Sequence, residues 1–429
     1  MTVLQVALDV MQLGRAVAIA REAVDGGADW IEIGTPLLKS EGAEAIRAIR
    51  RAFPGATLVA DTKTMDTGAF EVEIAAKAGA DYATVLGLAD DSTISEAVAA
   101  GRKYGTEVIV DLINSADPAR RAAEAAALGA SMVCLHAGID SQMRSGGVSP
   151  EALGAICAGL SIPVAVAGGI TAETARAYVE AGAYAVIVGG AIVKAADIRK
   201  AAEGVKASMA GAGPGGGLSK KYGEDGLLEA FSKASTCNVS DAFHKRGVVR
   251  GLRPFLARGQ RMAGRALTVH TAGGDWAKPV EAIDRARPGD VIVIDAGGSE
   301  VAVWGELASN SAMTVGAAGV VIDGAIRDIG EIMDLGFPAF ARHVAPCAGE
   351  PKGYGGIGME VTVGGQAVRT GDWIVGDENG LVVIPREMAV EVANRTVDVN
   401  ERECRTREEI RRGSTLSKVN EISKWEPVK

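Results

Sequence analysis

The chain has 429 residues, more than one ordinary domain needs, and 48% of them are hydrophobic, so it can bury a large core. Its 45 basic and 54 acidic residues give a formal net charge of −9, which argues against nucleic acid as the main partner, and no stretch approaches the ~20 consecutive apolar residues of a membrane-spanning helix. The start of the chain lacks a signal-peptide pattern and the five cysteines form no CxxC pair, so we expect a reduced, cytoplasmic protein that contacts no membrane.

One phrase recurs through the first half of the chain: a helix ends at glycine and an apolar strand follows. It reads GGADWIEIG at 26–34, AGADYATVLG at 78–87, LGASMVCLH at 128–136 and AGAYAVIVGG at 181–190. Other apolar runs lie between these, and Ala-rich helical stretches follow the strands. The pattern predicts eight strands, near residues 4–9, 30–34, 57–61, 82–86, 107–112, 132–136, 163–167 and 185–189.

Eight apolar strands that alternate with helices predict an α/β fold, and eight is the strand number of a parallel (β/α)8 TIM barrel. An open doubly wound sheet is the competing architecture, but no G-x-G-x-x-G follows the first strand. The pattern stops in a stretch rich in Gly and Ser, SMAGAGPGGGLSKKYG, which predicts a linker. We therefore predict a barrel over 1–207, a linker over 208–222 and a further domain over 223–429.

The last 200 or so residues have another pattern. Strands with Gly- and Asp-rich turns are predicted at 289–298, 319–328 and 371–385, and helices at 225–233, 238–247, 304–317 and 386–412. This is typical of a second α/β domain. The charged terminal helix is predicted to be solvated or to face a partner.

Ionisable residues and glycine pairs stand where the predicted barrel strands end, which is where barrels carry their chemistry. Each alone has an ordinary structural explanation, such as a helix cap or a turn. Ionisable residues from five different strands on one face indicate a site instead. The strand-end residues are Asp9, Glu32, Asp61 with Lys63, Asp111, His136, Gly168 with Gly169, and Gly189 with Gly190.

The chemistry of this set is specific. Asp61 and Lys63 are two residues apart and so face the same side of an extended strand. Glu32 and Asp61 offer the oxygen ligands that Mg²⁺ prefers, and Lys63 supplies positive charge where an enediolate oxygen would form. His136 can carry protons near neutral pH. The two glycine pairs match the usual barrel site for phosphate.

The motifs EIGTPLLKSEG, ADTKTMD and LHAGIDSQ resemble the orotidine-monophosphate-decarboxylase superfamily, in particular its 3-hexulose-6-phosphate synthase branch, over the first ~205 residues. The resemblance implies condensation of formaldehyde with ribulose 5-phosphate through an enediolate held by Mg²⁺ or Mn²⁺. It also implies a dimer in which one residue enters from the partner subunit, here Asp66. The implied active-site residues are Asp9, Glu32, Asp61, Lys63, Asp66 and His136. The alternative is 3-keto-L-gulonate-6-phosphate decarboxylase, which usually carries an Arg at the position of Ile139.

The stretch VWGELASNSAMTVGAAGVVIDGAIRDIGEI, with STCNVSDAF before it and GDENGLVVIP after it, resembles the 4-hydroxy-4-methyl-2-oxoglutarate aldolase family, which includes the regulator of ribonuclease activity A. The resemblance covers roughly 225–385. It implies that Asp328 holds Mg²⁺, that Arg327 binds the carboxylate of a 2-oxo acid, and that Glu306 relays protons through water. The backbone of Gly305–Leu307 would complete the pocket. The alternatives are ordinary surface charges and a non-catalytic module that binds a protein.

Together the two halves predict a bifunctional lyase, with a sugar phosphate, formaldehyde and a 2-oxo acid as its small-molecule partners. Relatives of the barrel form dimers and relatives of the second domain form trimers. A chain that satisfies a two-fold and a three-fold interface closes most simply with six subunits. We therefore expect a homohexamer.

Overall fold

The computed structural model describes residues 2–212 and 222–422. The chain divides into two compact units by its contacts, one of Met1–Lys220 with Glu401–Lys429 and one of Lys221–Asn400. Most of the predicted linker, residues 213–221, lies outside the described residues, and its first two residues still belong to a helix that ends at Met209. The predicted domain boundaries therefore stay predictions, but the contacts assign the last segment to the first unit.

Within residues 2–212, eight parallel strands close into a barrel in chain order, and β8 pairs with β1. The predicted (β/α)8 barrel is thereby confirmed. The strands are β1 Val3–Leu8, β2 Trp30–Ile33, β3 Thr57–Thr64, β4 Tyr82–Leu86, β5 Glu107–Asp111, β6 Met132–His136, β7 Val164–Ala167 and β8 Ala185–Val188.

Helices cover the outside of the barrel and bury a large aliphatic core between themselves and the strands. The helix α4 ends where the recurring phrase predicts, at Gly79, and α5 ends at Gly105, outside that phrase; both glycines have positive φ, a conformation that favours glycine. The helices are α1 Leu13–Asp25, α2 Thr35–Glu41, α3 Ala43–Ala52, α4 Gly68–Ala78, α5 Asp91–Tyr104, α6 Pro118–Ala127, α7 Ile139–Ser145, α8 Pro150–Gly159, α9 Ala175–Glu180, α10 Gly190–Val193 and α11 Ile198–Met209.

The second unit is built on a mixed sheet with strand order β10-β14-β13-β12-β11-β18-β19-β9, to which β15 adds by pairing with β11. A separate hairpin is formed by β16 and β17. The strands are β9 Val248–Val249, β10 Arg253–Phe255, β11 Met262–Thr271, β12 Asp290–Trp304, β13 Gly319–Ile326, β14 Ala339–Val344, β15 Gly355–Ile357, β16 Val361–Val363, β17 Gln366–Val368, β18 Trp373–Asp377 and β19 Gly380–Ile384.

Apolar clusters lie on the faces of this sheet, and the second α/β domain predicted from the sequence is confirmed. Short 3-10 turns precede α12 and α17, at Glu224–Gly226 and Arg386–Met388. The helices of the rest of the chain are α12 Leu227–Lys233, α13 Thr236–Ala242, α14 Ala277–Ile283, α15 Glu306–Thr314, α16 Ile329–Asp334, α17 Ala389–Arg411 and α18 Leu416–Val419.

The terminal helix α17 differs from its prediction as a solvated or partner-facing helix. Its first turns bury Ala389, Val392 and Ala393 in a core of the second unit. Farther along, Arg405 is only 4% exposed, and Glu409 forms an ion pair with Arg15 of the barrel. The charged composition of the helix hid this burial, because the charges are paired within the chain.

The sequence also predicted that the protein contacts no membrane and that its cysteines are reduced. Across residues 2–212 and 222–422, no helix is both long and apolar enough to span a bilayer. No disulfide joins two cysteines in the same ranges. A cytoplasmic location stays a prediction.

Candidate active site

Asp61 and Lys63 meet at the carboxyl end of β3. The Lys63 ammonium lies 2.9 Å from Asp61 Oδ2 and 3.0 Å from Oδ1. The prediction explained this contact by regular alternation along an extended strand. The strand is irregular here, because Lys63 has a φ of 48° and the pairing of β3 with β4 shifts between Ala60 and Thr64. A non-glycine residue in this left-handed region is uncommon and concentrates at functional sites. The irregular strand end turns the ammonium toward the carboxylate.

Asp111 joins this pair to the imidazole of His136. Asp111 Oδ2 lies 3.2 Å from the Lys63 ammonium and 2.9 Å from His136 Nδ1, and Asp111 Oδ1 accepts a hydrogen bond of 2.9 Å from the backbone N–H of Ile113. The carboxylate is buried, at the end of β5. The ends of β3, β5 and β6 thus form one chain of charges, from Asp61 through Lys63 and Asp111 to His136.

Two threonines and a glutamine support the carboxylates, and the sequence analysis did not predict them. Thr35 donates to Asp61 Oδ2 at 2.7 Å and Thr84 donates to Asp61 Oδ1 at 2.9 Å. Gln5 donates to Glu32 Oε2 at 2.5 Å from inside the barrel. Gln5 and Thr84 lie within β1 and β4, and Thr35 follows β2 by two residues, so no strand-end pattern marks the three together. Hydroxyl and amide groups are too common to be singled out.

The electrostatics of the site are dominated by three neighbouring carboxyl groups. Burial and the nearby Asp61 and Asp9 carboxylates raise the pKa of Glu32 well above its usual range. Asp9 remains accessible to water in the concave mouth, yet burial by the surrounding protein and the charge of Asp61 raise its pKa to about 6. The groups repel one another when ionised, so this corner of the mouth favours an added positive charge.

A divalent cation fits this donor set. Mg²⁺ usually binds one or two protein carboxylates and completes its shell with water and substrate oxygens, and Glu32 and Asp61 provide two carboxylates in the crowded corner. Within the described ranges, no group of three or more His, Cys, Asp or Glu side chains converges as a ready-made metal cage. Two carboxylates would leave the other ligand positions of such an ion to water and substrate oxygens.

The pKa values of Lys63 and Asp111, at the centre of the chain of charges, are both shifted in the direction that favours the ionised form. Burial lowers the pKa of Lys63, but the Asp61 and Asp111 carboxylates outweigh it and hold that pKa above its usual value. Burial also acts to raise the pKa of Asp111, yet the hydrogen bond and charge of His136, with Lys63, hold it below its usual value. At neutral pH the pair is a carboxylate and an ammonium.

The two glycine pairs follow β7 and β8, as predicted. Gly168 and Gly169 have φ values of 111° and 71°, and a Cβ at Gly168 would collide with the carbonyl oxygen of Ala137. A Cβ at Gly189 would lie 3.2 Å from Asp9 Oδ2, so the turn after β8 borders the acid site. The absence of side chains leaves the backbone at both turns open to close approach by a ligand.

Asp66 is not brought into the chain of charges within one subunit. It lies after β3, and its carboxylate accepts a hydrogen bond of 2.7 Å from the backbone N–H of Thr67. Its side chain is exposed. Its predicted entry into a partner subunit's site stays a prediction.

In the second unit, the structure brings Arg327 and Asp328 together with the start of α15. Asp328 Oδ2 lies 3.3 Å from Arg327 Nε and accepts a hydrogen bond of 3.2 Å from the backbone N–H of Glu306. The Glu306 carboxylate itself is hydrogen-bonded to Asn310, one turn farther along α15. Asp328 has a φ of 56°, the same rare backbone region as Lys63 in the barrel.

The second unit also contains a polar cleft that no sequence pattern indicates. It has a volume of about 460 Å³ and is lined by Asp295, Gly297, Gly298, Asp323, Arg342 and Thr362. Asp323 and Arg342 form a two-pronged ion pair, and the backbone N–H of Gly364 donates to Asp323 at 2.7 Å. The paired groups brace β13 and β14 beside the hairpin.

Comparison with known proteins assigns the two regions. The model of the orotidine 5'-phosphate decarboxylase / HUMPS family matches residues 2–205, and the Aldolase/RraA model matches residues 236–383. The 3-hexulose-6-phosphate synthase of Mycobacterium gastri is 44% identical over 209 residues, which are 48% of this chain and 99% of that protein. The chain belongs to the orotidine 5'-phosphate decarboxylase / HUMPS family.

Further relatives match each of the two regions. The 3-hexulose-6-phosphate synthase of Bacillus subtilis is 38% identical over 203 residues, covering 47% of this chain and 96% of that protein. For the second region, the structure of the RNA-processing inhibitor RraA from Thermus thermophilis is 29% identical and covers 36% of this chain and 93% of that one, with a TM-score of 0.34. The predicted fusion of the two families and the prediction of a lyase are confirmed.

Proposed function

We propose that the barrel unit catalyses the reversible aldol condensation of formaldehyde with ribulose 5-phosphate to 3-hexulose 6-phosphate. The main support is the chain of charges from Asp61 to His136, which combines a fixed cation with a proton carrier in one barrel mouth. The proposal is also supported by the 44% sequence identity to the 3-hexulose-6-phosphate synthase of Mycobacterium gastri, because the match includes 99% of that protein. Small-molecule sugar phosphates also suit the open glycine turns.

The chain's own residues account for the proton and charge movements. Loss of a proton from C1 of ribulose 5-phosphate gives an enediolate, whose C1 then forms a bond to the carbonyl carbon of formaldehyde, and the formaldehyde oxygen takes up a proton. The Asp111 carboxylate orients His136 through Nδ1, which leaves Nε2 to accept and return the proton. The Lys63 ammonium stabilises the developing oxyanion because it stays charged.

Asp9 borders the same mouth and the Gly189 turn, and we assign it a role in proton transfer to the substrate. A residue with a pKa of about 6 exchanges protons readily near neutral pH. When bound by Glu32 and Asp61, a divalent ion such as Mg²⁺ or Mn²⁺ supplies positive charge next to the enediolate oxygens. The backbone of Gly168, Gly169, Gly189 and Gly190 is assigned to the substrate phosphate.

The decarboxylation of 3-keto-L-gulonate 6-phosphate is the second candidate for the barrel, since it also passes through an enediolate. Ile139, where that enzyme usually carries Arg, begins α7 three residues after His136 and is 59% exposed. An apolar side chain there favours the synthase. The deciding experiment compares formaldehyde consumption with ribulose 5-phosphate against CO₂ release from 3-keto-L-gulonate 6-phosphate, each with and without Mg²⁺. CO₂ release without formaldehyde consumption would reverse the assignment.

For the second unit we propose metal-dependent cleavage or decarboxylation of a 2-oxo acid. A divalent ion held by Asp328 would supply positive charge beside the oxygens of a 2-oxo acid and so would favour cleavage of the bond to the neighbouring carbon. Asp328 offers one carboxylate to the ion, Arg327 pairs with the substrate carboxylate, and the backbone of Gly305–Leu307 borders the pocket. Glu306 is assigned to proton relay through water. Leu307 is 76% exposed, an observation that favours the alternative of a protein-binding module.

Cleavage of oxaloacetate tests this second site. Asp328→Ala should remove any lyase activity on oxaloacetate and leave formaldehyde fixation unchanged, because the two sites are built from residues of different compact units. Asp334→Ala, at the end of α16, is the matched control and should change neither reaction. No cleavage by the unaltered protein with Mg²⁺ or Mn²⁺ would favour the binding module.

A further inference from the structure

The last part of the chain contributes an interaction surface to the barrel unit. Residues 401–422, called here the terminal segment, are grouped by their contacts with the barrel although the whole second unit precedes them in sequence. Glu409 lies 3.0 Å from both Nε and a terminal nitrogen of Arg15. Arg412 lies 3.1 Å from Glu22, and Arg405 lies 3.6 Å from the same carboxylate. Helix α1 and the terminal segment thus present complementary charges.

Burial distinguishes the contacts of Arg405 and Glu409 from ordinary surface ion pairs, whereas the pair of Arg412 with Glu22 is exposed. The Arg405 side chain is 5% exposed and that of Glu409 is 14% exposed. Arg405 and Arg412 each donate a hydrogen bond of 3.3 Å to the carbonyl oxygen of Ala196. Exposed pairs contribute little, whereas breaking a buried pair leaves an uncompensated charge and is strongly destabilising. The fold therefore depends on this seating of the terminal segment.

The contacts of the terminal segment lie on both sides of the place where β1 pairs with β8, called here the β1–β8 seam. Arg15 is in the first turn of α1, directly after the loop that carries Asp9. Ala196 lies between α10 and α11, shortly after the turn of Gly189 and Gly190. Because β1 and β8 pair with each other to close the barrel, the terminal segment connects the first strand unit to the last.

The part of the chain that matches the barrel family ends at residue 205, so the terminal segment lies outside that match. We propose that the terminal segment is a strap that holds the β1–β8 seam and thereby positions the loops of Asp9 and of Gly189–Gly190. The effect on catalysis rests on the proposed synthase function. The strap itself does not, because it concerns the stability of the seam.

Hydrogen exchange measured by mass spectrometry on the full chain tests the strap. Arg405→Ala should raise amide exchange in residues 9–25 and 189–198 by about tenfold or more, the factor expected when hydrogen bonds to charged groups are lost. Glu409→Gln, which keeps the shape of the side chain, should produce a smaller rise in the same places. β3 and β5, on other sides of the barrel, should exchange as before.

Arg407→Gln is the matched control, because Arg407 lies on the same helix and pairs only with its own neighbours Glu403 and Cys404 in the described contacts. It should leave exchange at the seam unchanged. Unchanged exchange at the seam in both test variants, or an equal rise over all barrel strands, would overturn the strap. If Arg405→Ala does not fold, Glu409→Gln decides by itself.

Enzyme kinetics distinguish a failure of the strap proposal from a failure of the proposed synthase function. In the synthase assay, Glu409→Gln should raise KM for ribulose 5-phosphate about threefold to tenfold while kcat changes little, since loosened loops weaken substrate binding. An unchanged KM together with increased seam exchange would contradict the positioning role. If exchange responds as predicted but the unaltered protein does not consume formaldehyde, the strap stands and the synthase proposal fails.

Discussion

Asp111 is the residue on which the barrel site converges, because its carboxylate contacts both a cation and an imidazole. Its Oδ2 contacts both the Lys63 ammonium and His136 Nδ1, at 3.2 and 2.9 Å. A single buried oxygen therefore fixes the position of the cation and the tautomer of the imidazole. The strand-end pattern singled out Asp111 as a member of the set, but its bridging role depends on the positive φ of Lys63, which no sequence pattern indicates.

Asp61→Asn is expected to lower turnover with formaldehyde and ribulose 5-phosphate by about a thousandfold or more, because polarisation by a catalytic ion contributes several kcal/mol. The amide retains the shape of the side chain, and one of the two threonine hydroxyls, Thr35 or Thr84, can still donate to its remaining oxygen, so the circular dichroism spectrum should not change. Asp117→Asn, at the N-cap of α6, is the control and should keep full activity. Turnover near that of the unaltered protein would contradict the metal role of Asp61.

Asp9 should make the stability of the metal-free protein depend on pH. Its folded-state pKa of about 6 lies above the usual 3.8, so the folded state binds more protons than the unfolded state between these values. The contribution of Asp9 is fully present below the lower value and is lost as pH rises through the upper one. Asp9→Asn should therefore raise the Tm more at a pH of about 7.5 than at about 4.5.

Thermal unfolding in EDTA measures this difference, and addition of Mg²⁺ should reduce the benefit of the substitution, because the ion offsets the repulsion among the carboxylates. An increase in Tm that is equal at both pH values would contradict the raised pKa. Asp117→Asn again serves as the control and should show no such trend.

At the scale of elements, the sequence predicted the barrel almost completely and the second unit only in part. The barrel repeats one phrase, so its eight strands and their order follow from glycine stops and apolar runs. In the second unit, β11 and β14 were not predicted although both lie inside the sheet. The run MAGRALTVHT of β11 includes Arg and His, and its pairing partners are up to about a hundred residues away, so local pattern alone does not identify it.

Gly168→Ala should destabilise the protein more than Gly105→Ala. Both glycines have positive φ, but a Cβ at Gly105 would meet open space whereas one at Gly168 would collide with the backbone of Ala137. The strained backbone alone costs about 1 kcal/mol at Gly105, and the collision should add at least about as much again at Gly168. Urea unfolding of the two variants measures the difference.

Equal free energies of unfolding for the two variants would show that the β6 and β7 turns relax freely. In that case the turns would also give a poor phosphate site, because a ligand needs a fixed backbone there. KM for ribulose 5-phosphate in the Gly168→Ala variant provides a second readout and should rise.

At the scale of the whole molecule, exposed apolar side chains support assembly. Met65, Phe70 and Ile74 are 53%, 65% and 40% exposed, and they flank Asp66 at the end of β3 and along α4. Such a patch is typical of a protein interface. In the second unit Leu307 and Met313 are exposed on α15, beside the proposed metal site.

We expect a homohexamer by light scattering coupled to gel filtration. Phe70→Glu should place a charge in the barrel patch and reduce the mass from six chains to three, since the contacts of the second unit would remain. A mass of one, two or three chains for the unaltered protein would contradict the prediction. Loss of synthase activity in Phe70→Glu would further support the entry of Asp66 from a partner subunit.

The terminal segment also sets the order in which the protein can be completed during synthesis. The barrel strands leave the ribosome first, but the residues that seat on Arg15 and Glu22 follow the roughly 180 residues of the second unit. At about 5 to 20 residues per second, the barrel waits on the order of 10 to 40 s for its last helix. The surface of α1 must stay free for that late segment, so the barrel unit is completed only after the second unit has been synthesised.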